Sequence, residues 1–326
     1  MDTISRRRVL LGLALALAVT PAFPKPAAAV DSAKEVRIGY QKIGILLALK
    51  GQGLLEKRFA AQGIAVKWVE FQSGPPLIEA LNAGSIDFGY TGDTPPIFAQ
   101  AAGVNFVYVA AIPSPGHSNA IVVRDASGIK TLADLRGKKI ALTKGSSAQN
   151  VLVRVLQRAG VAYGDIEAVY LQPADAGAAL RNGSVDAWSI WDPFYALAQK
   201  FPGVHTLTDA YGVAPSNSFF LASRAFATEN PGLLRGVIDE LSAVVKWTGT
   251  HQAEIAQVLS DASNVDLDTE KVVAARGTYE IGYITPQIVK QQQSIADTFA
   301  KLGLVPHAIA VADNVWTPAG PVALAR

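Results

Sequence analysis

Two stretches of this chain place small hydrogen-bond donors, a glycine and a helix start in the order that anion binding requires. Lys144-Gly145-Ser146-Ser147-Ala148-Gln149 follows a short apolar run and opens an amphipathic one. Gly145 lets the backbone approach a ligand closely, Ser146 or Ser147 can cap, and the unbonded N–H groups of a first helical turn, such as that of Ala148, point outward. Tyr90-Thr91-Gly92-Asp93-Thr94-Pro95-Pro96 is laid out alike, with Asp93 or Thr94 as the cap and two prolines where a helix needs no N–H. A helix N-terminus favours an anion by about 0.3–1 kcal/mol when exposed and up to about 2 when partly buried. Each charge-assisted hydrogen bond adds about 1.5–3 kcal/mol. Trp191, beside Asp192 and Pro193, offers apolar area and one N–H donor, while Trp188 on the same run is expected in the core. Gln41 directly follows the first predicted strand, and His117 is a rim candidate.

Several other chemistries are excluded. The 326 residues include no cysteine, so there is no thiol nucleophile, disulfide, Cys-ligated zinc or lipid-attachment thiol. His117, His205, His251 and His307 lie too far apart for a metal pair at helical spacing. Neither a phosphate-loop spacing nor a Gly-x-Ser-x-Gly elbow occurs. A binding protein with no metal and no cofactor is expected, rather than an enzyme.

Half the residues are hydrophobic and 17% are charged, the mark of a well-buried globular chain. The formal charge of +2 comes from 29 basic and 27 acidic residues; removing Arg6, Arg7, Arg8, Lys25 and Asp2 leaves 25 and 26, a net charge of −1. No basic surface remains for nucleic acid. Those charges sit in residues 1–29, where Ser5-Arg6-Arg7-Arg8, an apolar run from Val9 to Val19, three prolines and Ala27-Ala28-Ala29 read as a cleavable export signal. The Arg-Arg pair fits a twin-arginine signal, with an ordinary secretory signal as the alternative. The apolar run is shorter than the roughly 20 residues that span a bilayer. The mature chain is therefore expected free in a periplasm, soluble and without a lipid anchor.

Short apolar runs alternate with amphipathic ones, which predicts an α/β protein. Strands are expected over 36–40, 66–71, 86–90, 107–112, 139–142, 168–171 and 187–190, with helices over 45–59, 77–82, 149–159 and 174–181 and a mostly helical C-terminal third. Ala80-Leu81-Asn82-Ala83-Gly84-Ser85-Ile86-Asp87 returns 99 residues later as Ala179-Leu180-Arg181-Asn182-Gly183-Ser184-Val185-Asp186. The register holds until Asp93 falls on Asp192. This echo predicts two similar lobes, each a mixed sheet flanked by helices, with the ligand at facing C-terminal strand ends. Lobe one is expected to hold 30–118 and 222–326, and lobe two 119–221. The apolar segments Ile121-Val122-Val123 and Phe219-Phe220-Leu221 are expected to cross between them as hinges.

Arg37-Ile38-Gly39-Tyr40-Gln41-Lys42, Glu79 through Asp87, Thr91 through Gly103, Lys144-Gly145-Ser146-Ser147 and Val185 through Pro193 resemble the periplasmic aliphatic-sulfonate-binding proteins of ABC importers. The likeness runs from about Glu35 to Val315-Trp316-Thr317-Pro318. The resemblance implies a type II periplasmic-binding-protein fold with two hinge crossings. It also implies a monomeric receptor that hands its ligand to an inner-membrane ABC permease. Relatives within the wider family bind taurine, nitrate or pyrimidine precursors, and these are the alternative ligands. Desulfinases that share the architecture look to depend on a cysteine this chain lacks.

A sulfonate carries one negative charge and three weakly basic oxygens, so its head group needs donors and no acceptors. The expected site is Gln41, Gly92, Asp93, Thr94, Ser146, Ser147, Ala148, Trp191 and Asp192. Trp191 would hold an aliphatic tail, at about 0.8 kcal/mol per buried methylene. Asp93 and Asp192 are expected to orient donors, or to meet an amine if the ligand carries one.

Overall fold

The computed structural model describes residues 33–317; residues 1–32, which include the segment expected to be an export signal, and Pro318 onward lie outside the described residues. In chain order the first elements are β1 (Glu35–Tyr40), α1 (Gly44–Gln52), α2 (Leu54–Ala60), β2 (Ala65–Glu70), α3 (Gly74–Asn82), β3 (Phe88–Thr91), α4 (Thr94–Ala101) and β4 (Phe106–Ser114). Next come β5 (Asn119–Arg124), β6 (Lys139–Leu142), α5 (Ser147–Ala159), β7 (Glu167–Tyr170), α6 (Pro173–Asn182), β8 (Ala187–Trp191), α7 (Phe194–Ala198) and β9 (Val204–Asp209). The chain closes with β10 (Ser216–Ser223), α8 (Arg224–Glu229), α9 (Pro231–Thr250), α10 (Gln252–Ser263), α11 (Leu267–Arg276), β11 (Gly282–Tyr283) and α12 (Pro286–Lys301). No helix among the described residues is long and apolar enough to cross a membrane.

Two sheets result, ordered β11-β4-β10-β3-β1-β2 and β7-β6-β8-β5-β9. Apart from β11 at the edge of the first sheet, their patterns match: three parallel strands (β2-β1-β3 and β7-β6-β8), then one antiparallel strand (β10 and β5), then a strand that runs with the first three (β4 and β9). In each, the central antiparallel strand is the one the chain forms on arriving from the other sheet. Both faces of each sheet carry apolar layers, with Phe88, Phe220 and Leu234 in one and Ile140, Leu152 and Ala187 in another. Parallel strands buried on both faces explain the near-continuous apolar runs of the sequence.

The internal echo is a structural repeat. It runs α3–β3–α4 in the first sheet and α6–β8–α7 in the second, with Gly84 (φ 68°) and Gly183 (φ 83°) in the left-handed turn after each helix. Asp87 accepts the backbone N–H of Arg37 at 2.8 Å, and Asp186 accepts that of Lys139 at 3.0 Å. Each aspartate thus ties the start of its strand to the start of the neighbouring parallel strand.

Two expectations need correction. The helix expected over 45–59 is two helices, because Gly53 takes a left-handed conformation (φ 61°) and ends the first. Ile121–Val123 and Phe219–Leu221 do not cross between lobes; they lie within β5 and β10, paired on both sides. The crossings are the short glycine- and proline-bearing links before those strands, residues 115–118 and 210–215. Apolar β-branched and aromatic segments gain most by pairing in a sheet, so the links fall to segments that hold Pro115 and Gly116, and Gly212 and Pro215.

Candidate functional site

The C-terminal ends of β1, β3, β6 and β8 face one another across the gap between the sheets, and a cavity of about 70 Å³ lies between them. By the rule that one water needs about 10–15 Å³ of such volume, this is room for roughly five heavy atoms. Gln41, Gly92, Asp93, Ser146, Ser147 and Trp191 all line it. Thr94, Ala148 and Asp192 do not, and their side chains act behind the wall.

The hydroxyl groups divide into two kinds. Ser146 occupies the N-cap position of α5, yet its hydroxyl donates to Thr143 O at 2.6 Å instead of capping, so its hydrogen is committed. Gly145 N–H is held by Gln149 Oε1 at 2.7 Å. Ser147 stands first in the 13-residue α5, where the N–H groups of a helix have no partner within it, so its hydroxyl and the Ser147 and Ala148 amides are the available donors. Ala148 itself is buried, with its carbonyl bonded by Ser189 Oγ at 2.8 Å, which fixes the start of α5 on β8. The start of α4 is different. Pro95 and Pro96 remove two of its N–H groups, so it offers fewer first-turn donors than the start of α5.

Asp93 is the one charged side chain on the cavity wall. It is only 1% exposed, and burial pushes its carboxyl above the usual range against hydrogen bonds from Thr94, Asn150 and Ser216. Thr94 Oγ1 donates to Asp93 Oδ1 at 2.8 Å and Asn150 Nδ2 donates to Asp93 Oδ2 at 2.7 Å. Neither Asp93 nor Thr94 caps α4 through its side chain, contrary to expectation. Asp93 instead joins α4 of the first sheet's layer to α5 of the second. Ser73 Oγ, which donates to Gln172 Oε1 at 3.0 Å, joins the starts of α3 and α6 in the same way. The lobes are in contact around the cavity.

Lys144, the one cation of the Gly-Ser-Ser junction, is not on the wall; its Nζ lies 5.6 Å from the centre of the Tyr170 ring. The lining holds no lysine, arginine or histidine. Among the described residues no cluster of His, Cys, Asp or Glu could hold a metal ion. His117 stacks on Tyr211 at 4.1 Å in the crossing region and stays outside the cavity.

Asp192 is withdrawn from the site. Its carboxylate accepts Ala196 N–H at 3.0 Å and pairs with Arg276 Nη1 at 3.2 Å. Burial pushes this carboxyl up to about 6, with Arg276 and the Ala196 amide pulling the other way. Arg276, which also donates to Gln199 Oε1 at 2.6 Å, brings α11 onto the second sheet's layer. Sequence reasoning missed Arg276, and it missed the serines at the crossings: Ser114, Ser118, Ser216 and Ser218 all line the cavity. Ser218 also bonds the Tyr90 hydroxyl. The signal for them was the polar, proline-bearing character of Pro113-Ser114-Pro115-Gly116-His117-Ser118-Asn119 and Ala214-Pro215-Ser216-Asn217-Ser218.

Residues 58–255 match the NMT1/THI5-like family model. A curated Escherichia coli (strain K12) protein named for aliphatic sulfonates binding is 42% identical over 297 residues, 89% of this chain and 91% of that protein. The chain belongs to this family. Among solved structures, the alkanesulfonate-binding protein SsuA from Xanthomonas axonopodis pv. citri bound to MOPS is 38% identical, with a TM-score of 0.84 over 88% of this chain and 99% of that one. The periplasmic aliphatic sulphonate binding protein SsuA from Escherichia coli is 39% identical, with a TM-score of 0.79 over 90% and 95%. The two-lobed fold is the one expected of the family. These three relatives are named as binding proteins.

Proposed function

We propose that the protein is the periplasmic receptor of an ABC importer and captures alkanesulfonates between its lobes for delivery to a membrane permease. The observation that carries this reading is the lining of the interlobe cavity: serine hydroxyls and the first amides of α5, with no cationic side chain. A sulfonate is satisfied by such a set, because its charge is permanent and its oxygens need several moderate donors rather than one strong counter-ion. Micromolar binding corresponds to about 8 kcal/mol. A few charge-assisted bonds at about 1.5–3 kcal/mol each reach that figure once the ordering cost is subtracted. Asp93 has both carboxylate oxygens engaged, by the Thr94 hydroxyl and the Asn150 amide, which orients it as a structural acceptor rather than as a ligand to the anion.

The related proteins named for sulfonate binding support the ligand class, and MOPS, which one of them holds, is itself a sulfonate. The chain has no cysteine, in line with capture rather than catalysis. In this reading the first lobe comprises β1–β4 with β10 onward, the second β5–β9, and residues 115–118 and 210–215 are the hinges.

Calorimetry of the mature protein with methanesulfonate, longer alkanesulfonates, taurine, sulfate and nitrate tests the proposal. Binding of the sulfonates is expected; binding of nitrate alone overturns the reading. Ser147→Ala is expected to weaken every sulfonate about tenfold, because one donor to the head group is lost while alanine remains at home in the first turn of α5. Ser146→Ala is expected to weaken them less, its hydroxyl hydrogen being engaged by Thr143 O. An unchanged affinity in Ser147→Ala would place the head group elsewhere. Trp191→Ala is expected to weaken long-chain sulfonates more than methanesulfonate, and equal losses would count against a tail contact.

A further inference from the structure

The lobes also meet where α11 lies against α7, at residues that do not line the hydroxyl-bearing cavity. The helix α11 is carried by the first lobe. Ser263 Oγ of α10 donates to Glu270 Oε1 of α11 at 2.8 Å, and Ile255, Leu259 and Ala274 pack into the apolar layer of Leu47 and Phe220. The helix α7 is carried by the second lobe, where Tyr195 and Ala198 share an apolar layer with Val122 and Trp188. Both ends of α11 reach across. At its last residue, Arg276 pairs with Asp192 at 3.2 Å, donates to Gln199 and lies over the Tyr195 ring, 4.1 Å from its centre. At its N-cap, Asp266 accepts Lys200 Nζ at 2.9 Å. The two contacts differ in burial. The Asp192 side chain is wholly enclosed and that of Arg276 is 19% exposed, whereas Lys200 and Asp266 are half exposed. An exposed pair contributes little, but a buried pair that loses one member leaves a charge with neither partner nor water. Asp192 also adjoins the ligand cavity: it follows Trp191 of the wall, and its backbone N–H donates to Ser118 O in the first crossing at 2.9 Å.

We propose that Arg276 is a latch between the lobes: it engages Asp192, Tyr195 and Gln199 only when the lobes are together, and so sets how long a ligand stays bound without touching it. The inference rests on the receptor reading above. Parting the lobes at 115–118 and 210–215 draws α11 away from α7 and returns both charges to water. The pair therefore favours the closed form and has no counterpart in the open one. Arg276 is a positioning residue in this scheme. Because it stands outside the cavity lining, its loss changes every ligand by the same factor, unlike a change in the wall. A ligand enters the open cleft before the latch forms and leaves only after it breaks, so the effect falls on dissociation rather than association.

Stopped-flow tryptophan fluorescence with methanesulfonate and butanesulfonate reads the rates in the wild type, Arg276→Gln, Arg276→Lys and Gln199→Ala. Arg276→Gln is expected to speed dissociation of both ligands by about tenfold, with association held within about twofold. Arg276→Lys keeps a charge for Asp192 but not the fork that also reaches Gln199, and is expected to recover part of the loss. Gln199 is exposed, so Gln199→Ala leaves the core intact; it is expected to speed dissociation of both ligands by about threefold. Spin labels on Ala83→Cys and Ala178→Cys, exposed positions in a chain with no other cysteine, read the separation of the lobes. In the ligand-free protein, Arg276→Gln is expected to shift the labels toward longer distances. Unchanged dissociation in both Arg276→Gln and Gln199→Ala, effects that differ between the two ligands, or identical label distances without ligand would overturn the latch. Failure of both sulfonates to bind the wild type would overturn the receptor reading alone, and the ligand-free distances would still decide on the latch.

Discussion

Gly92→Ala is expected to lower ligand affinity about a hundredfold while leaving the melting temperature of the ligand-free protein almost unchanged. A Cβ at position 92 would stand 2.7 Å from Ser147 Cβ and 3.0 Å from Ser147 Oγ, closer than such atoms pack. Gly92 follows β3 of the first sheet and Ser147 opens α5 beside the second, so the clash lies between the lobes and vanishes when they part. Nothing in the backbone of Gly92 penalises alanine, since its φ is not in the left-handed region. The whole cost, about 1–3 kcal/mol for an overpacked contact, therefore falls on closure and appears in affinity. The upper end corresponds to a factor of about 100. Ser147→Gly in the same chain removes the opposing Cβ and is expected to recover part of the loss, although it also deletes a head-group donor. A double-mutant cycle by calorimetry isolates this coupling. Wild-type affinity in Gly92→Ala would mean that ligand is held without the approach of these two elements.

The same pair illustrates what local pattern reveals and what it hides. Gly92 and Ser147 were legible because each follows an apolar run that forms a strand, and ligands gather where such strands end. Gln41 and Trp191 were found by the same logic. The echo of 80–87 in 179–186 was legible as two lobes because helix, glycine turn and buried strand each demand their own residue types in order. Ser114, Ser118, Ser216 and Ser218 were not legible. They reach the cavity only because β5 and β10 enter their sheets antiparallel beside β8 and β3, a matter of threading that local pattern does not encode. The crossings were misplaced for a related reason. Hydrophobicity marks strands well and the links between sheets poorly: Ile121–Val123 and Phe219–Leu221 stand out as apolar runs, whereas the links before their strands are marked only by Pro115, Gly116, Gly212 and Pro215. Arg276 stands 84 residues from the aspartate it neutralises, beyond the reach of any spacing argument.

That aspartate belongs to a buried acidic pair, and the other member yields the second large effect. Glu270 on α11 is 1% exposed and accepts Ser263 Oγ at 2.8 Å. Burial pushes its carboxyl up to about 7, with the charges of Asp192 and Asp266 adding to the rise and the Ser263 hydroxyl opposing it. Unfolded, the same group titrates near 4.5. Between pH 4.5 and 7 the folded protein therefore holds a proton that the unfolded chain has released, and stability falls as pH rises through that window. Asp192, raised to about 6, acts in the same direction over a lower range. Each tenfold difference in proton affinity between the folded and unfolded chain is worth about 1.4 kcal/mol, so Glu270 alone costs roughly 3 kcal/mol by pH 8. Glu270→Gln keeps an oxygen to accept the Ser263 hydroxyl and has nothing to ionise. At pH 5 the variant and the wild type are expected to unfold at similar urea concentrations. At pH 8 the variant is expected to be the more stable by roughly 2–3 kcal/mol, read from urea midpoints. A wild-type protein whose stability holds level from pH 5 to 8, or a variant that gains nothing at pH 8, would mean that Glu270 ionises in the folded protein as freely as in the unfolded one.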